Sequence, residues 1–398
     1  MTMTGPGTVS YDPYDVAVDA DPYPVFKRLR DEAPLYYNEQ YDFYAVSRFD
    51  DVRDVTRDWK TFISGKGTVL ELLKRGSDIP PGTILFEDPP THDLHRGLLS
   101  RVFTPRRMRE IEPLVRQFCA RSLDPLVGTG RFDFILDLAA EMPMRTIGML
   151  LGIPEEDQRA HRDRLDRGLR LDDGGLPEVP AADESLERFA SYIEWRVEHP
   201  SDDLMTELLN AEFDDYTGVR RKLSREEVLG YISLLAGAGN ETTTRLIGWA
   251  GKVLAEHPEQ RAQLVADPSL IPGAVEELLR YESPSPVQAR YVTREVELHG
   301  HRIPAGSALL ALTASGNRDE RKFADPDLFD IHRDIDQHLA FGYGIHFCLG
   351  SHLARLEGRI ALEEVLERFP TWDVDWDHAV QAHTSTVRGW DRLPVVVT

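Results

Sequence analysis

A single cysteine in a glycine-rich segment is the residue in this chain best suited to chemistry. The segment covers residues 341–350 and reads FGYGIHFCLG, with the cysteine at position 348. Glycine allows a sharp turn and a close approach of the backbone to a flat ligand. A helix is predicted to start at Ser351, which places the sulfur near the positive end of that helix and favours the thiolate. The segment therefore predicts a reactive or metal-binding thiolate at Cys348.

Several explanations compete for this segment. A lone cysteine is usually a small buried hydrophobic residue, and the glycines could form nothing more than a loop. A zinc site of His346, Cys348 and His352 lacks the usual ligand pairs. A thiolate on heme iron explains the whole pattern better, because such a ligand pushes electron density onto the iron and promotes O–O cleavage. We therefore predict that Cys348 is an axial heme ligand and that His346 donates to a heme propionate.

The stretch FGYGIHFCLGSHLAR resembles the cysteine-loop signature of the cytochrome P450 family, F-G-x-G-x-[HR]-x-C-x-G, and agrees with it at every fixed position. Three further motifs occur in the order found in that family, so the resemblance covers nearly the whole chain. It implies heme b (iron protoporphyrin IX) with Cys348 as the metal ligand and O2 as co-substrate. It also implies that Phe341, Gly342, His346 and Gly350 contact the cofactor.

The second motif places an acid and a hydroxyl inside the strongest predicted helix, at residues 238–242, which read AGNET. The small residues Ala238 and Gly239 allow a ligand to lie against the helix, although Gly239 could instead aid helix packing and Glu241 could be solvated. The segment resembles the oxygen-activation motif A-G-x-[DE]-T. The resemblance implies that Ala238 and Gly239 contact the cofactor, that Thr242 binds iron-bound oxygen by a hydrogen bond, and that Glu241 belongs to the proton route.

The third motif supplies cations. Residues 88–96 read DPPTHDLHR, and Arg290 follows a segment that reads SPSPV. The resemblance implies that His92, Arg96 and Arg290 bind the heme propionates, which suits the charge-assisted bonds that arginine makes to carboxylates. His92 could alternatively be only a polar residue at a helix N-terminus.

A further motif pairs Glu277 with Arg280 on one face of a predicted helix. An ordinary surface ion pair would have the same spacing. In the family this pair is buried behind the heme and is joined by an arginine from a later irregular segment. Arg333, in the stretch PDLFDIHR, is our prediction for that arginine, and the three residues are assigned a structural role.

Five apolar residues are candidates for a substrate pocket, with core packing as the alternative for each. They are Ile84, Leu85, Phe86, Leu235 and Val287. Residues 171–182 read LDDGGLPEVPAA and lie between helical patterns, which is typical of a lid. We expect this lid to face residues 62–86 across the entrance.

The elements that must position these residues are mainly α-helical with a minor β region, and the resemblance implies the cytochrome P450 fold. The strongest helix runs from Ser224 to His257, where Ser224 and Glu227 form a capping box. We expect it to cross the middle of the molecule over the heme. A strand hairpin (Leu35–Asn38 and Phe43–Ser47) and a final helix (Ser351–Phe369) complete the clearest signals. Residues 1–20 are expected to be loosely ordered, and residues 21–398 to form a single heme-thiolate monooxygenase domain.

Composition restricts the class of protein. The 398 residues carry a formal net charge of −22, which repels phosphates and argues against a nucleic-acid binder. Two cysteines cannot form a disulfide framework and suit a reducing compartment. The N-terminus lacks a secretory signal pattern, and no stretch reaches the ~20 apolar residues of a membrane span. We expect a cytoplasmic monomer without a membrane anchor.

These expectations combine into one predicted function. A heme-thiolate monooxygenase would insert one atom of O2 into a hydrophobic small molecule, using electrons from a soluble ferredoxin and its ferredoxin reductase. Two basic clusters beside the heme-binding segments predict a docking face for an acidic ferredoxin; they contain Arg101, Arg106, Arg107, Arg109, Arg355 and Arg359. The alternatives are a peroxide-driven, coupling or dehydrogenating heme-thiolate enzyme and a non-catalytic heme sensor.

Overall fold

A computed structural model describes residues 9–76, 79, 82–159, 162, 182–384 and 386–397 of the chain, with only the backbone described for 182–188. The predicted lid at 171–182 falls outside these residues except for the backbone of its last member. Helices dominate the described part and strands form a smaller component, as the sequence predicts.

The helices follow the chain in this order: α1 (Val16–Ala20), α2 (Tyr23–Glu32), α3 (Phe49–Arg57), α4 (Leu70–Arg75), α5 (Thr91–Leu99), α6 (Pro105–Leu123), α7 (Met142–Leu151), α8 (Ala182–Glu198), α9 (Leu204–Asn210), α10 (Arg225–Glu256), α11 (Pro258–Ala266), α12 (Ile271–Tyr281), α13 (Thr313–Gly316) and α14 (Ser351–Arg368). Short 3-10 turns lie at Ile84–Phe86, Asp124–Leu126, Pro268–Leu270 and Gly344–His346, and a π-helical turn lies at Phe134–Ala139.

The strands are β1 (Leu35–Asn38), β2 (Phe43–Val46), β3 (Phe62–Ile63), β4 (Arg131–Asp133), β5 (Glu212–Asp214), β6 (Arg220–Lys222), β7 (Gln288–Val292), β8 (Val296–Leu298), β9 (His301–Ile303), β10 (Ala308–Ala311), β11 (Trp372–Val374), β12 (Val380–Ala382), β13 (Gly389–Arg392) and β14 (Pro394–Val397). The largest sheet has the order β1-β2-β10-β7-β3, and a smaller one has the order β11-β14-β4. The predicted hairpin is confirmed, because Leu35 pairs with Val46 and Asn38 with Phe43 in antiparallel register.

The long helix α10 is the axis of the larger core. Its N-terminus is fixed by the predicted capping box: Glu227 N–H donates to Ser224 Oγ at 3.1 Å, and Ser224 N–H donates to the Glu227 carboxylate at 2.7 Å. At ~1.5 Å per residue, its 32 residues span ~48 Å. Apolar residues on several sides are buried, and α7, α8 and α14 pack against it. The prediction of a helix through the middle of the molecule is confirmed.

The structure differs from the sequence expectations at the N-terminal side. Residues 9–20, expected to be loosely ordered, contain α1 and bury Val9, Tyr11 and Tyr14. Tyr11 meets Phe26 and Phe43 edge-on, with ring centroids 5.7 and 6.2 Å apart. Aromatic burial therefore orders a segment whose Pro, Gly and polar content suggested a loose tail. The segment from Phe62 to Pro90 is rich in Gly and Pro, which predicts irregular structure, but it contains β3, α4 and a 3-10 turn.

A buried ion cluster joins α12 to the irregular segment that precedes the cysteine loop. Glu277 and Arg280 are both fully buried and paired, with Nε 2.6 Å from Oε2. Arg333 Nε lies 3.2 Å from the Glu277 carboxylate, so the structure brings the three predicted residues together. Arg280 also donates to the carbonyls of Asn317 and Pro326. Because α12 packs against α14, the cluster supports the helix that follows Cys348.

We predict that Glu277→Ala lowers the free energy of unfolding by roughly 3–5 kcal/mol, because it leaves the Arg280 guanidinium buried without its carboxylate. Denaturant unfolding of the purified protein measures this change. Glu256→Ala is the control: Glu256 pairs with Lys252 at 2.8 Å on the surface of α10, and its loss should cost under about 1 kcal/mol. Equal effects of the two substitutions would contradict the assigned role.

Candidate functional site

Cys348 lies in the loop between the 3-10 turn at Gly344–His346 and α14. Its N–H donates to the Phe341 carbonyl at 2.8 Å, which closes the loop. The thiol is half-buried. Burial raises its pKa, while the Gly350 N–H and the Arg96 and Arg355 cations act in the opposite direction. The sulfur therefore has a donor and two cations in place to stabilise a thiolate.

The three glycines of the loop have different roles. Gly342 and Gly344 have φ values of +69° and +74°, which favour glycine. A Cβ at Gly344 would also lie 2.9 Å from the Thr56 carbonyl oxygen of α3, so this position has no room for a side chain. Gly350 has a φ of −83° and open space beside it. The expectation of sharp glycine turns therefore applies to the first two glycines and not to Gly350.

A buried cationic cluster lies next to the cysteine loop. The rings of His92 and His346 meet edge-on with centroids 4.5 Å apart, and the buried Nε2 of each has no hydrogen-bond partner among the described residues. Arg290 is 3% exposed and donates to its neighbour's carbonyl, that of Ala289, at 2.8 Å. Arg96 donates to the Phe347 carbonyl at 2.6 Å. The structure thus gathers the four residues predicted to bind propionates.

The electrostatics of this cluster favour an anion. Burial lowers the pKa of Arg290 to about 10, although the charge of Asp88 opposes the shift. Burial also lowers the pKa of His346 to about 2, and the charges of Arg290, His92 and Arg96 add to that effect. Such a concentration of donors and positive charge in the interior suits carboxylate groups, so the residues present fit the propionates of a heme.

One face of α10, here called the open face, is accessible at Ala238. Ala238 is exposed and Thr242 is half-buried, although most of the helix around them is buried. The Thr242 hydroxyl donates to the Ala238 carbonyl at 3.0 Å, one turn earlier. Thr242 and Ala238 therefore share a face, as residues four apart on a helix do. This face can contact a ligand that lies against the helix.

Glu241 and Gly239 lie on other sides of α10. The Glu241 carboxylate is 4% exposed, accepts from Asn240 Nδ2 at 3.2 Å and lies 3.3 Å from Arg245 Nη2. It is therefore a buried ion-paired group, and the alternative of a solvated Glu241 is wrong. A Cβ at Gly239 would lie 3.3 Å from the Ile147 side chain of α7. The structure thus supports the helix-packing alternative for Gly239, and its contact with the cofactor stays a prediction.

The five candidate pocket residues do not form one group. Ile84 and Leu235 are buried in the core around α10, and Leu85 and Phe86 are half-buried in the same 3-10 turn as Ile84. Val287 packs instead against the N-terminal core and lines a small cavity of about 50 Å³ with Tyr14 and Arg388. The wall at Ile84–Phe86 and the residues of α10 remain the candidates for a pocket beside Thr242.

One buried acid near the site escaped the sequence analysis. Glu357 of α14 is 1% exposed, and its carboxylate oxygens have no hydrogen bond of good geometry among the described residues. Burial raises its pKa to about 8, and the nearby hydroxyls of Thr146 and Thr243 lower it only in part. The sequence carries a signal for this burial, because Glu357 falls within the helical repeat of apolar residues that includes Leu353 and Ile360.

Two further searches concern metals and membranes. Across the described residues, no group of three or more His, Cys, Asp or Glu side chains could hold a metal ion. The zinc site considered for His346, Cys348 and His352 is thus not formed. A search of the same residues found no helix with the length and apolar character of a membrane span.

Comparisons with known proteins agree with this geometry. Residues 181–381 match the family described as Cytochrome P450. Cytochrome P450 123 of Mycobacterium tuberculosis (strain ATCC 25618 / H37Rv) is 42% identical over 97% of this chain and 96% of the relative. The structure of cytochrome P450 CYP109Q5 from Chondromyces apiculatus superposes with a TM-score of 0.86 at 37% identity, covering 98% of both chains. CYP109E1 from Bacillus megaterium in complex with testosterone gives a TM-score of 0.87 at 30% identity, covering 96% and 99%.

We predict that Glu357→Gln stabilises the protein and that the gain grows as pH rises. Folding raises the pKa of this carboxyl from 4.5 to about 8, so folding above the lower value requires proton uptake and loses stability with increasing pH. The neutral glutamine removes that cost, which amounts to roughly 2–4 kcal/mol near pH 8. Denaturant unfolding at several pH values measures the difference.

The matched control is Glu364→Gln on the same helix. Glu364 is ion-paired with Arg116 at 2.5 Å and Arg368 at 2.6 Å, so its replacement should destabilise the protein. A gain at Glu357 that stays constant between acidic and alkaline pH would contradict the interpretation.

Proposed function

The chain belongs to the cytochrome P450 family and is a P450 monooxygenase, and on that premise we propose that the thiolate of Cys348 binds the iron of heme b. The observation that carries this proposal is the position of Cys348 beside a buried cationic cluster. In that cluster, the buried Nε2 atoms of His92 and His346 have no hydrogen-bond partner among the described residues. A heme supplies the dioxygen chemistry when bound, and the protein supplies its binding, orientation and electrostatics.

The cations would orient the cofactor. His92, Arg96, Arg290 and His346 would donate to the two propionates, and these charge-assisted bonds would compensate the burial of Arg290. The loop from Phe341 to Gly350 would supply the sulfur ligand, with the Gly350 N–H donating to it. The exposed Ala238 of α10 would contact the cofactor.

Two residues of α10 would take part in proton transfer to the site. The Thr242 hydroxyl lies on the open face and would hold a proton where oxygen binds. Glu241 would replenish that proton, and because its carboxylate is paired with Arg245 at 3.3 Å, it would have to turn from this partner to do so. The burial of Glu241 limits proton access by bulk water.

The substrate that we propose is a hydrophobic small molecule that receives one atom of O2, while the other atom leaves as water. The apolar wall at Ile84–Phe86 and the neighbouring Leu235 support this class. The similar CYP109E1 was solved with testosterone, a molecule of that class. The overall reaction also requires two electrons, supplied one at a time.

Cys348→Ala tests the proposal directly. We expect the folded variant to lose the reduced carbon-monoxide spectrum of a heme-thiolate protein, because alanine offers no ligand to the iron. Cys119→Ala is the matched control, since Cys119 is buried in α6 and should leave that spectrum unchanged. A Cys348→Ala protein with the spectrum of the parent would refute the assignment.

The electron donor that we propose is an acidic soluble ferredoxin, served by a ferredoxin reductase. Helix α6 packs against α14, so the two predicted basic clusters lie on neighbouring helices. Arg101, Arg106 and Arg109 are exposed. Arg355 is instead paired with Glu276 at 2.6 Å and stacked on Phe341, so it has a structural function in the cysteine loop.

Another set of ion pairs lies between α6 and α14. Arg359 is paired with Glu112 at 2.8 Å. Arg106 and Arg107 are also paired, both with Glu110. Among the described residues, the cations of this face without an ion pair are therefore Arg101, in the turn before α6, and Arg109. An acidic partner would be steered there.

We predict that the double variant Arg101→Glu and Arg109→Glu slows reduction by ferredoxin at low ionic strength by at least tenfold, roughly the loss expected when steering reverses sign. Stopped-flow reduction over a range of salt concentrations measures the rate. Arg302→Glu is the control, because Arg302 is equally exposed but lies in the separate β8–β9 hairpin. Unchanged rates at low salt in the double variant would reject this docking face.

A further inference from the structure

A buried histidine outside the proposed heme site is held between two carboxylates. His95 of α5 is 2% exposed. Its Nδ1 lies 2.9 and 2.8 Å from the two oxygens of Glu87, and its Nε2 lies 3.6 Å from Glu227. The rings of Tyr231 and Phe213 flank it edge-on, with centroids 5.4 and 6.1 Å away. His95 thus connects the loop before α5 to the first turn of α10.

The partner on α10 is firmly fixed. Glu227 is 7% exposed and takes part in the capping box. Arg221 donates to both of its oxygens at 2.7 and 2.9 Å. Burial acts to raise the pKa of Glu227, but Arg221 and the Ser224 N–H outweigh it and keep the pKa below its usual range. This carboxylate is therefore a rigid, negatively charged anchor.

The loop that carries Glu87 is pinned at both of its ends. Gly82 lies so close to α10 that a Cβ there would be 2.7 Å from the Glu227 Cα. Asp88 accepts from the N–H groups of Ser64 and Gly65 at 3.0 and 2.9 Å. Between these two points lie the 3-10 turn at Ile84–Phe86 and Glu87 itself. The contact of Glu87 with His95 is therefore the restraint nearest to the apolar wall.

We propose that His95 is a positioning residue that determines which ligands fit the site, by clamping the wall at Ile84–Phe86 against α10. The inference rests on the proposed function, in which this wall borders the heme pocket. If the imidazole is removed, the carboxylates of Glu87 and Glu227 lose the donor between them and repel each other. The wall then shifts, and the pocket loses its preformed shape.

Two azoles of different size probe the wall in the heme-loaded protein. Imidazole reports only on access to the iron, while 4-phenylimidazole carries a ring that extends into the pocket. In His95→Phe, which keeps a ring in place but removes both ring nitrogens, 4-phenylimidazole should bind roughly tenfold more weakly and imidazole within about twofold of the parent. Spectral titration of the ferric heme measures both dissociation constants.

Two more variants keep the proposal falsifiable if His95→Phe does not fold. Glu87→Gln weakens the same contact from the loop side and should change the ratio of the two affinities in the same direction. His95→Gln restores one N–H donor and should recover part of the loss. His299→Gln is the control, because His299 pairs with Asp51 at 2.8 Å away from this loop.

Two outcomes would overturn the inference. The first is an unchanged ratio of affinities in both His95→Phe and Glu87→Gln. The second is an equal weakening of both azoles, since this indicates a general structural role. The reduced carbon-monoxide spectrum of each variant is recorded first. A parent protein without a thiolate spectrum would refute the proposed function itself, independently of the azole ratio.

Discussion

Charged groups are costly to bury unless opposite charges or hydrogen-bond partners surround them, and this constraint governs the centre of the molecule. Arg280 is compensated by its ion pair with Glu277, and Arg245 by its ion pairs with Glu241 and Asp391. The cluster beside the cysteine loop differs, because among the described residues Arg290 has a hydrogen bond to a backbone carbonyl and the charge of Asp88, but no ion pair. An anionic ligand would compensate its charge. The same physical rule thus explains the rigid interior and agrees with the proposed binding of heme propionates.

Helix α10 connects most of the features of the site. Its first turn anchors Glu227 and, through His95, the loop before α5. In the middle of the helix, Thr242 lies on the open face with Ala238, whereas Glu241 lies on another side and is ion-paired with Arg245. A single helix fixes the spacing of these groups, so the proposed pocket wall and the residues proposed to handle protons share one scaffold.

The parts of the fold that local signals determine were predictable. The hairpin, the capping box and the ends of α10 and α14 follow from residues close together in the chain. The C-terminal strands were not predicted, because β14 pairs with β4, far away in sequence, and no local pattern records such a partner. The family resemblance located Cys348 and the cationic residues, but it could not show which side of α10 each residue occupies. The packing of Gly239 on Ile147 and the burial of Glu357 depend on how α7 and α14 meet α10.

The close approach of Gly344 to the Thr56 carbonyl joins two segments that lie far apart in the sequence. The loop that holds Cys348 rests on the end of α3, and α3 contacts the 3-10 turn at Gly344–His346. Because a packed interior transmits displacement from one element to its neighbours, a substitution that moves the end of α3 would also move the cysteine loop. The geometry around the sulfur therefore depends on residues near the amino terminus that never touch it.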